Sequence, residues 1–415
     1  MNRAVSTVWI AWLVLMAGAN LATPLYAVYA REFGFSSLVL TSIFATYAFV
    51  LVPALILFGR LSDRFGRRPV LFAGLSVAAV ALVVFAAADG VAWLYAARAL
   101  QGLAVGMISG AAASALVELD PAGDRRRAAL LAGLAQAGGS AVGPLFAGAL
   151  AEWAPNPLEL CFLVALGLTA LTAAASLTVP EPAGREREGW RIEWPRVPAA
   201  LRRDFFRVSL TAATVWASVA LLLSIVPSYA GDLLGTTNLA LLALIASVAL
   251  LASCVSQIVA QRFEGRRRPD QAAGLALLAL GLGGLVLAGP FKSLACLLLG
   301  AVAAGGGHGL AFLNAQQELN DLAPSERRGE VTSAFISCIY LLVASAVIAT
   351  GIVDLRLSLS ASVDVVALAL IAIAIATALW QWRGPESNRR HHGFQPCALP
   401  TELPRQREAE VYRRP

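Results

Sequence analysis

The chain contains twelve apolar segments of about 20 residues each, which is the length an α-helix needs to cross the hydrocarbon core of a bilayer. Short polar connectors separate them. They predict an all-α membrane protein with twelve transmembrane helices. The segments lie at 6–29, 38–59, 69–88, 91–118, 128–151, 158–179, 205–230, 238–261, 271–289, 293–317, 330–352 and 362–382.

Composition agrees with this assignment, because 58% of the residues are hydrophobic and 14% are charged, whereas a soluble domain is about a quarter charged. Four of the five cysteines lie inside apolar segments and no CxxC pair is present. We therefore expect neither a disulfide framework nor a metal site. The sequence also has no HExxH, P-loop or GxSxG motif, so we expect neither an enzyme nor a bound cofactor.

The connectors differ strongly in basic residues when they are assigned alternately to the two sides of a membrane. With the amino terminus inside, the inner connectors hold twenty basic residues and the outer ones hold three, Arg31, Lys292 and Arg356. The positive-inside rule then predicts that both termini lie in the cytoplasm, and we expect a multi-pass protein of the plasma (inner) membrane. The first segment is longer than the apolar part of a signal peptide, which favours an uncleaved span. The inner residues are Arg60, Arg64, Arg67, Arg68, Arg125, Arg126, Arg127, Arg185, Arg187, Arg191, Arg196, Arg202, Arg203, Arg207, Arg262, Arg266, Arg267, Arg268, Arg327 and Arg328.

The longest connector, 181–204, is charged and rich in proline, and it divides six segments from six. Turns recur on its two sides at nearly one offset, which indicates a parallel duplication. We predict an amino-terminal six-helix bundle at 1–180, a cytoplasmic central loop at 181–204 and a carboxy-terminal six-helix bundle at 205–383. The recurring residues are Arg64 with Arg262, Pro69 with Pro269, and Pro121 with Pro324, at offsets of 198, 200 and 203.

Three motifs resemble patterns of the major facilitator superfamily. GRLSDRFGRR at 59–68 follows the pattern G-x-L-[SA]-D-R-x-G-R-[RK] of the family's loop between helices 2 and 3. The resemblance covers roughly 1–383 and implies two six-helix bundles that move a small molecule by alternating access. The other two patterns are R-x-x-Q-G at Arg98, Gln101 and Gly102, and G-x-x-x-G-P-x-x-x-G at Gly139, Gly143, Pro144 and Gly148.

By this resemblance, the loop between helices 2 and 3 controls the conformational change. Asp63 would contact the start of the eleventh helix near 328–333 and hold the two halves together on the cytoplasmic side. Gly59 and Gly66 permit close backbone approach and left-handed dihedral angles. In the alternative reading, the charges only fix the topology. The predicted gating residues are Gly59, Asp63, Arg64, Gly66, Arg67, Arg68 and Glu118.

Polar residues inside apolar segments are candidates for the pathway, because such residues are costly in a bilayer unless they are paired or face water. By resemblance, Arg98 influences protonation or substrate charge in a central cavity, with an interfacial arginine as the alternative. His308 is read either as a proton relay or as a packing residue, and Glu318 either as a pathway residue or, more simply, as a headgroup residue. The predicted coupling and cavity residues are Asn20, Arg98, Gln101, Gly102, Gln136, His308, Asn314 and Gln317.

The third motif is associated with antiporters, chiefly drug–proton exchangers. Its glycines are expected to press the fifth helix against the other half, with a bend at Pro144. Such exchangers often carry a carboxylate in the first helix, where this chain has Asn20, so no proton carrier is identified. We predict proton-coupled efflux of drug-like compounds, with uptake or facilitated diffusion of a sugar or other metabolite as the alternative. The expected partners are the substrate, protons and lipid, without nucleic acid, and the protein is expected to act as a monomer.

The last residues, 384–415, differ in character from the rest. ALPTELP at 398–404 and ESN at 386–388 fit codons from the D-arm and T-arm of a transfer-RNA gene read antisense. We hypothesise that the reading frame runs past its natural stop and that this tail is disordered and without function.

Overall fold

The computed structural model describes residues 2–58, 61–181, 197–263, 267–323 and 328–382, and of Leu61, Asp63, Arg328 and Gly329 it describes the backbone alone. The predictions for Gly59, for most of the central loop and for the tail therefore lie outside the described residues. Within those residues the chain forms fifteen α-helices. They are α1 (Arg3–Asn20), α2 (Tyr26–Phe33), α3 (Ser37–Phe58), α4 (Leu61–Phe65), α5 (Arg67–Ala86), α6 (Val91–Glu118), α7 (Arg125–Trp153), α8 (Leu160–Ser176), α9 (Arg202–Ser224), α10 (Val226–Leu234), α11 (Leu239–Gln261), α12 (Arg267–Phe291), α13 (Leu294–Leu322), α14 (Arg328–Asp354) and α15 (Leu359–Trp382).

These helices confirm the predicted all-α membrane fold. Eleven stretches of the described chain are long and apolar enough to cross a membrane, and each coincides with a predicted segment. The remaining predicted segment forms α8, whose 17 residues lie at the short end of the range of about 17–25 residues for a spanning helix. The prediction of twelve spans therefore holds.

Two of the spans consist of a long helix, a break and a short second helix. The first consists of α1, a 3-10 turn at Thr23–Leu25 and α2, and the seventh consists of α9 and α10. A proline lies at each break: Pro24 is part of the 3-10 turn in the first span, and Pro227 lies at the start of α10 in the seventh. Proline has no N–H to continue the helical hydrogen bonding, so it favours the start of a new helix. The two breaks occupy corresponding positions in the two halves, as a duplication requires.

Helices pack mainly within each half, and among the described residues two helix pairs make most of the contacts between the halves. In the first half α6 packs on α3 and α5, and α1 packs on α7. In the second half α13 packs on α11 and α12. The contacts between halves run along α3 with α14 and along α7 with α11. The boundaries predicted for the two bundles stay predictions.

Candidate functional site

A large cavity of about 460 Å³ lies between the two halves. It extends from the middle of the helices to the end of the molecule that carries Arg126 and Arg268, which we call the arginine-rich end. Glu118, Arg125 and Asn320 line it at that end. Its deeper walls carry aromatic and polar side chains, namely Trp12, Gln136, Trp216, Phe312, Gln316 and Tyr340.

A second, smaller chamber of about 40 Å³ lies deeper in the molecule. We call it the Arg98 chamber. Met16, Trp216 and Tyr340 line both spaces, so these three side chains form the boundary between them. Tyr340 of α14 also meets Tyr47 of α3 across the two halves, with 3.3 Å between the hydroxyl oxygens. The polar and aromatic lining of the chamber comprises Asn20, Phe44, Tyr47, Arg98, Ser140, Trp216 and Tyr340.

Arg98 is buried in this chamber, with 2% of its surface exposed. Its Nη1 donates to the carbonyl of Ala19 at 2.8 Å and to Oε1 of Gln101 at 2.9 Å. Its guanidinium lies over the rings of Phe44 and Tyr47, 4.7 and 4.8 Å from their centroids. The interfacial alternative for Arg98 is wrong, because the side chain faces other helices and not the outer surface.

The break in the first span explains why the side chains of Arg98 and Gln101 point towards the carboxyl end of α1. The carbonyls of Gly18 and Ala19 lie at the carboxyl end of α1, where the last carbonyls of a helix have no partner in the helix. Gln101 donates to the carbonyl of Gly18 at 3.0 Å, and Arg98 donates to that of Ala19. A cation at a helix carboxyl end is also favoured by the helix dipole. The two side chains therefore stabilise the broken helix, and Arg98 also lines the chamber.

Asn20 of the first span meets Ser140 of the fifth span, and Gln136 lies one turn before Ser140 on α7. Asn20 Nδ2 donates to Ser140 Oγ at 3.1 Å, and both residues line the Arg98 chamber. Gln136 lines the large cavity instead. The structure thus brings Asn20, Ser140 and Arg98 together in one small space.

The loop motif at 59–68 is stabilised by two carboxylates. Glu118 of α6 binds Arg67 in a two-point pair, at 2.7 and 3.1 Å. Glu181 accepts hydrogen bonds from the backbone N–H groups of Arg67 and Arg68 at the start of α5. Gly66 has a φ of 98°, a left-handed conformation that glycine adopts at little cost. We did not predict a role for Glu181, although a carboxylate directly after the sixth span was a signal that it could contact the loop motif.

Other motif residues contribute less to this network. Arg64 is exposed, and its guanidinium lies 5.4 Å from the ring centroid of Phe65. Arg68 Nη1 lies 3.5 Å from the carbonyl oxygen of Leu177. The predicted contact of Asp63 with the start of α14 involves a side chain outside the described ones, so it stays a prediction.

The second half contains a buried ionic cluster at the same end. Arg207 of α9 forms an ion pair with Glu318 of α13, and it also donates to Gln381 of α15. Gln271 of α12 donates to Glu318 at 2.6 Å. The simpler reading of Glu318 as a headgroup residue is wrong, because it is 9% exposed and paired. Arg207, Gln271 and Gln381 were missed.

The two carboxylate networks occupy equivalent positions. Glu118 and Glu318 are 200 residues apart, as are Glu181 and Gln381. In the first half, Glu118 of α6 binds Arg67 at the start of α5. In the second half, Glu318 of α13 binds Arg268 at the start of α12. The duplication that the turns indicate places Gln381 at the position in the second half that is equivalent to Glu181 in the first half.

Three predicted pathway residues of α13 do not line either cavity. Asn314 donates to the carbonyl of Leu310 in its own helix at 2.9 Å, and Gln317 accepts from Arg267 at 2.6 Å. His308 is completely buried, and its Nδ1 lies 2.8 Å from Ser253 Oγ. Its ring packs edge-on against Trp216, with centroids 4.8 Å apart. These residues therefore lie outside the lining of both cavities.

The motif glycines serve helix packing. A methyl group at Gly139 or Gly143 would collide with the backbone of α1, which belongs to the same half. This corrects the expectation that the whole stripe presses against the other half. Gly148 alone of the three faces α11 across the halves. Gly102, expected near the cavity, lies against the backbone of α3.

Comparison with known proteins agrees with this architecture. The fold is similar to that of a D-xylose-proton symporter, with a TM-score of 0.74 at 15% identity over 92% of this chain and 97% of that one. An uncharacterised MFS-type transporter of Mycobacterium tuberculosis is 34% identical over 36% of this chain and 26% of the relative. The class E tetracycline resistance protein of Escherichia coli is 31% identical over 43% of this chain and 44% of the relative. The chain thus matches less than half the length of these two sequence relatives.

A match to a family model also covers most of the chain. A family model described as Major Facilitator Superfamily matches residues 8–349. It includes the loop motif, the Arg98 motif and the glycine motif, together with most of the spans. The chain is therefore a multi-pass membrane transporter that belongs to the major facilitator superfamily.

Proposed function

We propose that this transporter exports small amphipathic compounds across the plasma membrane by alternating access, coupled to the entry of protons. The carrying observation is the large cavity, which reaches the arginine-rich end between two six-helix halves. If that end is cytoplasmic, as the basic connectors indicate, the cavity faces inward and accepts substrate from the cell interior.

Two further observations support export. The motif of Gly139, Gly143, Pro144 and Gly148 resembles that of antiporters, and part of the chain resembles a tetracycline resistance protein. Trp12, Trp216, Phe312 and Tyr340 give the large cavity an aromatic wall suited to an apolar compound. A pocket of several hundred Å³ lined in this way is typical of sites for drug-sized ligands.

One observation favours the alternative of facilitated diffusion or uptake of a metabolite. Among the described residues, Glu118 is the one carboxylate that lines either cavity, and it binds Arg67. A carboxylate in the pathway is the usual proton carrier of a transporter. Coupling by protons would therefore depend on another group.

Everted membrane vesicles separate these alternatives. With a respiratory pH gradient, acidic inside, we expect vesicles that contain the protein to accumulate tetracycline, and a protonophore to abolish the accumulation. Equilibration without accumulation, unaffected by the protonophore, contradicts proton coupling and supports facilitated diffusion. Vesicles from cells without the protein supply the background.

The same assay tests the gating role proposed for Asp63. We expect Asp63→Asn to lose most transport at unchanged membrane expression, since an amide cannot supply the negative charge that a helix amino terminus favours. Asp321→Asn is the matched control, because this carboxylate lies at the same end, is 63% exposed and pairs with Arg267 at the surface. Transport by Asp63→Asn at the wild-type rate refutes the gating role.

A further inference from the structure

The guanidinium of Arg98 is buried without a carboxylate partner. Among the described residues, no Asp or Glu forms an ion pair with it, and none lines the Arg98 chamber. Asn20, which lines the same chamber, carries no charge. A buried arginine without a counter-ion is costly, and such a charge in a membrane protein commonly marks a ligand site.

The existing contacts of Arg98 leave part of its donor capacity unused. Nη1 is satisfied by two acceptors, whereas Nη2 has one long contact of 3.4 Å with the carbonyl of Phe44. The buried Nε has no hydrogen-bond partner. Nε and Nη2 lie side by side on a guanidinium and form the edge that binds a carboxylate through two parallel hydrogen bonds.

The sizes of the two spaces match the two parts of an amphipathic anion. A chamber of about 40 Å³ holds little more than a polar head such as a carboxylate. The adjoining cavity of about 460 Å³ has room for a drug-sized apolar body beside Trp216 and Tyr340. These two rings line both spaces, so a bound molecule would extend past them.

We infer that the substrates are amphipathic monoanions, whose anionic head binds Arg98 in the small chamber and whose apolar body occupies the large cavity. This inference rests on the transport function proposed above and names its substrate class. The carbonyls at the end of α1 lower the cost of the buried cation while the site is empty, and the anion of the substrate neutralises it during transport.

Binding of two molecules of equal shape tests the inference. The full chain in lipid nanodiscs at neutral pH is titrated with 2-naphthoate and with 2-naphthamide, which differ in charge but hardly in size. We expect 2-naphthoate to bind at least about tenfold more tightly, as one charge–charge interaction in a partly dry site allows. Equal affinities, tighter binding of the amide, or no binding of naphthoate at millimolar concentration overturns the inference.

Two variants keep Arg98 and its structural hydrogen bonds intact. Asn20→Asp introduces a carboxylate into the Arg98 chamber, and we expect it to weaken naphthoate binding about tenfold while the amide is unaffected. Gln136→Glu introduces the same charge into the large cavity and should weaken naphthoate binding less. An equal loss in both variants contradicts binding at Arg98.

The transport proposal is tested separately by uptake of radiolabelled naphthoate into everted vesicles. If naphthoate binds selectively but is not taken up, the anion site stands and the proposal that the protein transports amphipathic monoanions is overturned. Uptake of the amide in preference to the acid overturns the anion site and leaves transport standing.

Discussion

At the scale of single residues, buried charges in this protein serve two different purposes. Arg207 is paired with Glu318 and bonded to Gln381, so its charge is neutralised inside the protein. Arg98 is bonded to neutral acceptors and retains a net charge beside a cavity. The first arrangement fixes four helices of the second half relative to one another, and the second, by our proposal, binds the anionic head of a substrate.

The Arg207–Glu318 pair yields a stability prediction. Glu318→Gln removes the buried counter-ion of Arg207 and leaves it the more exposed Asp204 at 3.3 Å, so we expect a loss of up to about 3–5 kcal/mol in the free energy of unfolding. Arg207→Met combined with Glu318→Met removes both charges and should recover much of that loss. Chemical denaturation in detergent measures both. If the double variant is as unstable as the single one, the packing of these side chains matters more than their charge.

At the scale of elements, α7 and α11 are antiparallel helices from different halves, joined at both ends by charged residues of α7. Glu152 accepts from Leu239 N–H at 2.8 Å and from Asn238 Nδ2 at 3.1 Å, at the amino end of α11. Arg126 donates to the carbonyls of Gln261 and Phe263 at its carboxyl end, at 2.9 and 2.8 Å. Both charges have the sign that the helix dipole favours.

Loss of the Glu152 contact should shift the conformational equilibrium. Glu152→Gln removes the negative charge at the amino end of α11, an interaction of about 0.3–1 kcal/mol, so we expect easier opening at the end opposite the arginine-rich one. A cysteine at Val219, which lines the Arg98 chamber, should then react faster with an impermeant thiol reagent added from that side.

The control for this experiment is Glu159→Gln, which alters an exposed carboxylate at the same end of the molecule. It should leave the labelling rate of the Val219 cysteine unchanged. Equal acceleration by both variants would assign the effect to general surface charge and not to the contact with α11.

At the scale of the whole molecule, orientation follows from the charge of the connectors. We expect Ala122→Cys, in a connector at the arginine-rich end, to be labelled by an impermeant maleimide only after cells are permeabilised. Thr237→Cys, exposed at the opposite end, should be labelled in intact cells. Labelling of the cysteine at 122 in intact cells would reverse the orientation, and the cavity would then face outward.

The sequence alone predicted the number, length and order of the spans, and the duplication was readable from its turns. These features are local, because each helix must satisfy its own backbone hydrogen bonds in the bilayer and needs a minimum apolar length to do so. The motif residue Arg98 was likewise found from a short pattern. Glu118 belongs to no pattern and was selected by its position at the inner end of the fourth span.

Only the tertiary structure decided which neighbour each polar side chain meets. The break after Asn20 turns the carbonyls of α1 into partners for Arg98 and Gln101. Arg207 neutralises Glu318 from a helix 111 residues away in sequence. Helix rotation set these outcomes, since the face that a residue presents depends on the packing of the whole bundle, which no single segment encodes.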